Sequence, residues 1–143
     1  DITLDFNMMI EEKRSGDWPC LVFRSQNNAE TFDSKNNEAY VLVFSGNGIE
    51  FYRFNNGKRT QLYGNIGSLP QLFGPKLQTE AFKFGEKNKM QLTCKNTENG
   101  VRMALTINGT SIFDVVDNFD GNIQQSGYFG TVSPGAEVQL LTD

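Results

Sequence analysis

Histidine is absent from the 143-residue chain. That removes imidazole acid–base catalysis, His-activated nucleophiles and histidine-ligated metals together. Cysteine is scarce: Cys20 and Cys94 are too few for a disulfide-dense scaffold, and without histidine they make no zinc site. The pair could form a disulfide, but both stand in apolar strand-like runs, where a free cysteine serves as a small hydrophobe, and two free and buried thiols are the expectation. No cluster of Lys and Arg exists. With 13 basic against 17 acidic residues and a net charge of −4, the footprint of a nucleic-acid or anionic-membrane binder is missing. The charge-free apolar stretch around 39–49 is too short to span a bilayer. The chain opens at Asp1 with no basic, apolar leader. The expectation is a single domain over 1–143, excised from a larger protein or following a removed leader, and monomeric.

Apolar content is ample: 38% of residues are hydrophobic, including 12 Phe, 4 Tyr and 1 Trp, enough for one core. Their spacing is period two. Ile2, Leu4, Phe6, Met8 and Ile10 recur at every second position, as on a strand with one buried face. Four Asn-Gly dipeptides follow, at Asn47-Gly48, Asn56-Gly57, Asn99-Gly100 and Asn108-Gly109, each flanked by apolar alternation. Asn-Gly tolerates the positive φ angles of a type I′ turn and is the strongest short-range hairpin signal. Asn108-Gly109-Thr110 is also formally a glycosylation sequon, but as a hairpin turn it needs no other explanation. In the clearest hairpin Phe44 pairs with Ile49 and Leu42 with Phe51, which leaves Glu50, Tyr52 and Phe54 on the opposite face with Val41 and Val43. A long loop is expected over 64–75, where Pro70, Pro75 and several glycines cluster. About ten short strands result, an all-β sandwich or barrel.

The runs Gly16-Asp17-Trp18-Pro19-Cys20-Leu21-Val22-Phe23-Arg24, Tyr40-Val41-Leu42-Val43-Phe44 and Gly48-Ile49-Glu50-Phe51-Tyr52-Arg53-Phe54-Asn55-Asn56-Gly57 stand in this order. Val101 to Gly109, then Ile112-Phe113-Asp114-Val115-Val116-Asp117 and Ser126-Gly127-Tyr128-Phe129-Gly130, complete the pattern. In that order they resemble a concanavalin A-like, laminin-G-like jelly roll, over nearly the whole chain. The resemblance implies a two-sheet antiparallel β-sandwich. It also implies a non-catalytic carbohydrate-binding module, of the kind attached to secreted bacterial polysaccharide-degrading enzymes. Its partners would be a polysaccharide, with xylan or another β-linked glycan as first guess, and a linked catalytic domain. Laminin-G-like sandwiches also serve in protein interaction and adhesion, and that is the alternative.

Catalysis finds little support in the residues. Glycoside hydrolysis needs two carboxylates at a set separation. The Glu-x-Asp-x-Glu runs that mark jelly-roll glucanases are missing, and Glu11-Glu12 point to opposite faces of a strand. No cofactor is required by any motif. Asp114, Asp117 and Asp120 hold hard oxygen donors in one short stretch, the type of ligand calcium takes. Their spacing is not that of an EF-hand, and Asx-rich segments also simply turn. For sugar binding the chain offers flat rings amid polar groups: Trp18, Tyr52, Phe54 and Tyr63, with Glu50 and the guanidinium fork of Arg24. Each has a second reading. Trp18 suits a core or a core lid, Tyr52 and Phe54 become interior if a loop covers their sheet, and Arg24 is as well placed to pair with a cross-strand carboxylate.

Overall fold

The computed structural model describes residues 1–11, 19–132 and 136–140. Among the described residues the chain forms β1 (Ile2–Ile10), β2 (Cys20–Ser25), β3 (Glu38–Ser45), β4 (Gly48–Asn55), β5 (Lys58–Gly64), β6 (Gln71–Pro75), β7 (Asn88–Thr97), β8 (Gly100–Ile107), β9 (Thr110–Asp117), β10 (Tyr128–Val132) and β11 (Ala136–Leu140). A single 3-10 turn, Ala29–Thr31, lies between β2 and β3. Two sheets stack face to face, one ordered β11-β1-β7-β8-β9 and the other β10-β2-β3-β4-β5-β6. The result is an all-β two-sheet sandwich; of the two architectures left open by the alternation, it is the one the resemblance implies.

Each Asn-Gly dipeptide closes a hairpin, but by two different turns. Asn56 and Asn108 take φ of 52° and 49°, followed by Gly57 and Gly109 at 86° and 82°. Both central residues are thus left-handed, as in a type I′ turn. At the other two hairpins the closing pair falls one residue earlier relative to Asn-Gly, at Ser45↔Gly48 and Thr97↔Gly100, so the glycine belongs to the ladder. There a hydroxyl does the work. Ser45 Oγ accepts from the Asn47 N–H and donates to the Gly48 carbonyl, and Thr97 Oγ1 does the same for Asn99 and Gly100.

The core lies between the sheets. Phe6, Met8 and Ile10 of β1 with Leu92, Met103 and Leu105 of β7 and β8, and from the facing sheet Phe23 of β2, Leu42 and Phe44 of β3 and Phe51 of β4, are all buried in one cluster. Each such side chain contributes about 1.5–3 kcal/mol by leaving water. Phe51 stacks toward Phe23 and Phe113 at centroid distances of 5.9 and 4.9 Å, joining both sheets. Cys20 and Cys94 are both buried, as expected, and Cys94 is a free thiol.

The stretch 64–75 is not wholly a loop. Its second half is β6, which pairs in parallel with β5. Two glutamine amides make this feasible. Gln61 donates to the carbonyls of Ile66 and Leu69 and accepts from the Ile66 N–H, while Gln71 donates to the Gly64 carbonyl at 2.6 Å. The tight bend therefore has its polar backbone groups satisfied, and glycine and proline signals there reported the bend without the strand beyond it.

Candidate functional site

The register of β3 against β4 is Leu42↔Phe51 and Phe44↔Ile49, so Glu50, Tyr52 and Phe54 share the outer face of the six-stranded sheet with Val41 and Val43. The hairpin to β5 adds a residue that sequence reading passed over. Arg59 stands opposite Phe54, and its guanidinium carbon lies 5.1 Å from the centre of the Tyr52 ring. Counting back from the Asn56-Gly57 turn was the signal that could have found it. Below the ring, the Tyr52 hydroxyl donates to Glu50 Oε2 at 3.1 Å. Burial, and then the Glu50 charge, hold the Tyr52 proton above the ordinary tyrosine range.

Tyr52 is on the predicted face but is not an open platform: only 3% of it is exposed. The 26–36 connection folds over this part of the sheet. Phe32 meets Phe54 edge-on at 5.2 Å, and Phe32 and Ala29 pack on a cluster of Cys20, Val22, Ala39 and Val41. The connection is fixed by Asn28, whose side chain accepts from the Thr31 N–H, and by buried Asn37, whose amide donates to Ser25 Oγ and to the carbonyls of Asn28 and Thr31. What reaches solvent is the exposed Arg59 guanidinium, with Glu50 and Phe54 half-buried beside it. The outer face of the other sheet differs in kind. It carries Thr3, Asp5, Gln91, Thr93, Arg102 and Asp114, paired among themselves and without a ring.

Two predicted site residues are turned inward. Arg24 is 5% exposed. Alternation would place it outside, but its φ of 50° breaks the alternation and the β2–β10 ladder shifts register beside it. The guanidinium then donates to Asn96 Oδ1 at 2.6 Å, to the Ile123 carbonyl at 2.8 Å and to the Cys94 carbonyl at 3.4 Å, so it ties the two sheets together. Tyr63 is reversed by a bulge. The β4–β5 register slips between Phe51 and Tyr52, so that Tyr63 pairs with Phe51 while Gln61 pairs with Tyr52. Its ring meets Phe73 and Phe113 at 5.8 and 6.0 Å, on the side away from Tyr52. Trp18 lies outside the described residues.

The three aspartates do not converge. Asp114 is exposed and bidentate with Arg102. Asp117 is fully buried, where it pairs with Arg53 and accepts from the Tyr40 hydroxyl. Asp120 contributes its backbone carbonyl to Arg53 Nη2 at 2.7 Å. Among the described residues no group of three or more His, Cys, Asp or Glu side chains could hold a metal ion. Asp117 and Asp120, with Arg53 and Asn55, fasten the 118–127 connection to the end of the sandwich.

Fold and face together define a two-sheet all-β sandwich with one polar outer surface and one that carries aromatic side chains. Among solved structures the chain is similar to the carbohydrate-binding module CBM66 from Bacillus subtilis, at 18% identity and a TM-score of 0.54, over 96% of this chain and 70% of that one. It is also similar to sheep galectin-11 in complex with glycerol, at 13% identity and a TM-score of 0.57, over 98% of this chain and 86% of that one. No family model and no curated protein matches the sequence.

Proposed function

We propose that this domain is a non-catalytic carbohydrate-binding module that uses the outer face of its six-stranded sheet. The observation that carries the reading is the cluster of Arg59, Tyr52, Glu50 and Phe54. A guanidinium over a ring, a carboxylate at that ring's hydroxyl and a half-buried phenyl beside them offer donors, acceptors and an apolar surface within one patch. A sugar presents the complement of all three. In this reading Tyr52 is the support under Arg59, and contact with the ligand falls to Arg59, Glu50 and Phe54. Likeness to a carbohydrate-binding module and to a galectin supports the class of ligand. The lack of histidine supports a binding role over a catalytic one.

The role would be tethering in a secreted parent protein, raising the local concentration of a linked catalytic domain at its polysaccharide. Xylan or another β-linked plant glycan is the first ligand to try. With so few contacting groups the affinity falls in the micromolar to millimolar range, about 4–8 kcal/mol. Native affinity electrophoresis against xylans, glucans, mannans, pectins and fructans tests this. Retardation on one glycan class, lost in Arg59→Ala or Phe54→Ala variants that keep the wild-type melting temperature, is the expected result. No retardation on any of them removes the sugar reading and leaves protein interaction as the leading one.

A further inference from the structure

A groove of about 200 Å³ opens between the 77–81 segment and the first residues of β9, at the edge of the five-stranded sheet. It shares no residue with the patch around Tyr52. Leu77 and Ile112, both packed against the core, give it an apolar base. Gln78, Glu80, Thr110 and Ser111 supply the polar lining. The side chains of these four make no hydrogen bond or ion pair with any other described residue. All four are exposed, whereas the buried polar groups Arg24, Gln61, Asn88 and Asp117 are taken up by the fold.

The walls of this groove are fixed in advance. Leu77 exchanges two backbone hydrogen bonds with Ile49, at 2.7 and 2.8 Å. Gly48 permits that approach, because a Cβ there would stand 2.5 Å from the Leu77 carbonyl oxygen. At the other end Asn108 Nδ2 donates to the Ala81 carbonyl at 2.8 Å and to Asn88 Oδ1 at 2.9 Å, while Asn108 Oδ1 accepts from the Lys89 N–H. The Phe82 N–H closes a turn onto the Thr79 carbonyl at 2.9 Å. The asparagine of the sequon-like Asn108-Gly109-Thr110 run is thus spent on positioning a wall. A cleft whose backbone is already in place confines the ordering cost of binding to the ligand and the lining side chains.

We infer that this groove is a second binding site, for a single neutral polyhydroxylated ring. Its volume is below the roughly 300–1,000 Å³ of drug-sized pockets, so it takes one ring and not a chain segment. Two hydroxyls and an amide both donate and accept, and Glu80 accepts, a set that matches several sugar hydroxyls. No Lys or Arg lines the groove and a carboxylate does, which disfavours phosphate and other anions. No aromatic side chain lines it either, so a planar heterocycle has nothing to stack on.

The test is a two-dimensional amide NMR titration of the chain with methyl glycosides of xylose, glucose, mannose and fructose. Saturable shifts at Gln78, Ala81, Ser111 and Ile112 are expected with at least one glycoside, in the millimolar range. They should weaken about tenfold in Glu80→Gln and Ser111→Ala, the loss expected for one hydrogen bond to a ligand. Both substitutions are at exposed positions, and unchanged dispersion of the remaining amides confirms the fold. Tyr52→Ala should leave the groove shifts in place. No saturable shift at these amides with any of the four glycosides overturns the proposal, as do shifts that ignore both groove variants or vanish in Tyr52→Ala. Shifts confined to Glu50, Tyr52, Phe54 and Arg59 would overturn the groove while upholding the outer-face reading.

Discussion

The Tyr40 hydroxyl donates to Asp117 Oδ2 at 2.8 Å across the interior of the sandwich, from β3 in one sheet to β9 in the other. Both residues are fully buried. The same oxygen accepts from Arg53 Nη1, and the Tyr40 oxygen in turn accepts from the Ile123 N–H at 3.1 Å. Two strands, the facing sheet and the 118–127 connection therefore meet at one carboxylate.

Removing that carboxylate should be costly because it leaves the Arg53 guanidinium buried and uncompensated. Asp117→Ala is expected to lower stability by about 3–5 kcal/mol in urea unfolding. Tyr40→Phe keeps the ion pair and should cost only about 1–2 kcal/mol. The reverse ranking would mean that the carboxylate is not what holds this end together.

The two thiols give a pH signature. Burial pushes Cys94 and Cys20 up to about 11 from an ordinary 9.0, with the Asp33 charge adding to the effect at Cys20. The folded chain then holds protons that the unfolded chain releases. Their stabilisation is fully present below pH 9.0 and is lost as pH rises through about 11. The urea midpoint should fall over that window, less steeply in Cys94→Ala. Near neutral pH a thiol reagent should leave the native chain unmodified and label both cysteines once it is unfolded.

Glycine positions can be ranked by what a methyl group would meet. At Gly100 a Cβ would stand 2.2 Å from the Asp117 carbonyl oxygen and 2.9 Å from Asn118 Cα, both backbone atoms that cannot swing aside. Gly100→Ala should therefore destabilise by roughly 1–3 kcal/mol. A Cβ at Gly67 meets nothing within 4 Å, and Gly67→Ala should stay within about 0.5 kcal/mol of wild type. Thermal melts of the pair decide it, and equal losses would contradict the close approach at β8.

Divalent metal should not matter to the fold. Asp117 is committed to Arg53 and Asp114 to Arg102, so neither carboxylate is available to a shared ion. A chelator should leave the melting temperature unchanged, and added calcium should not raise it. A calcium-dependent rise would show ligands other than the three aspartates.

The hairpins were legible because their causes are local. Period-two alternation and four Asn-Gly turns determine which strands pair and, at β3–β4, in what register. That register placed Glu50, Tyr52 and Phe54 on one face. Alternation assumes an unbroken ladder, however. One left-handed residue at Arg24 and one bulge after Phe51 each send a side chain to the other face, and neither leaves a mark in the pattern of residue types.

By itself, then, the sequence determined an all-β chain of hairpins and the faces of the β3–β4 pair, since turn geometry and side-chain period act over a few residues. Only the tertiary structure decided what is covered and what is paired. Tyr52 is sheltered because the 26–36 connection packs Phe32 against Phe54, and Asp117 is structural because it meets Arg53 64 positions away and Tyr40 77 positions away. Contacts at such separation follow from how whole sheets stack, and no local pattern of residues encodes them.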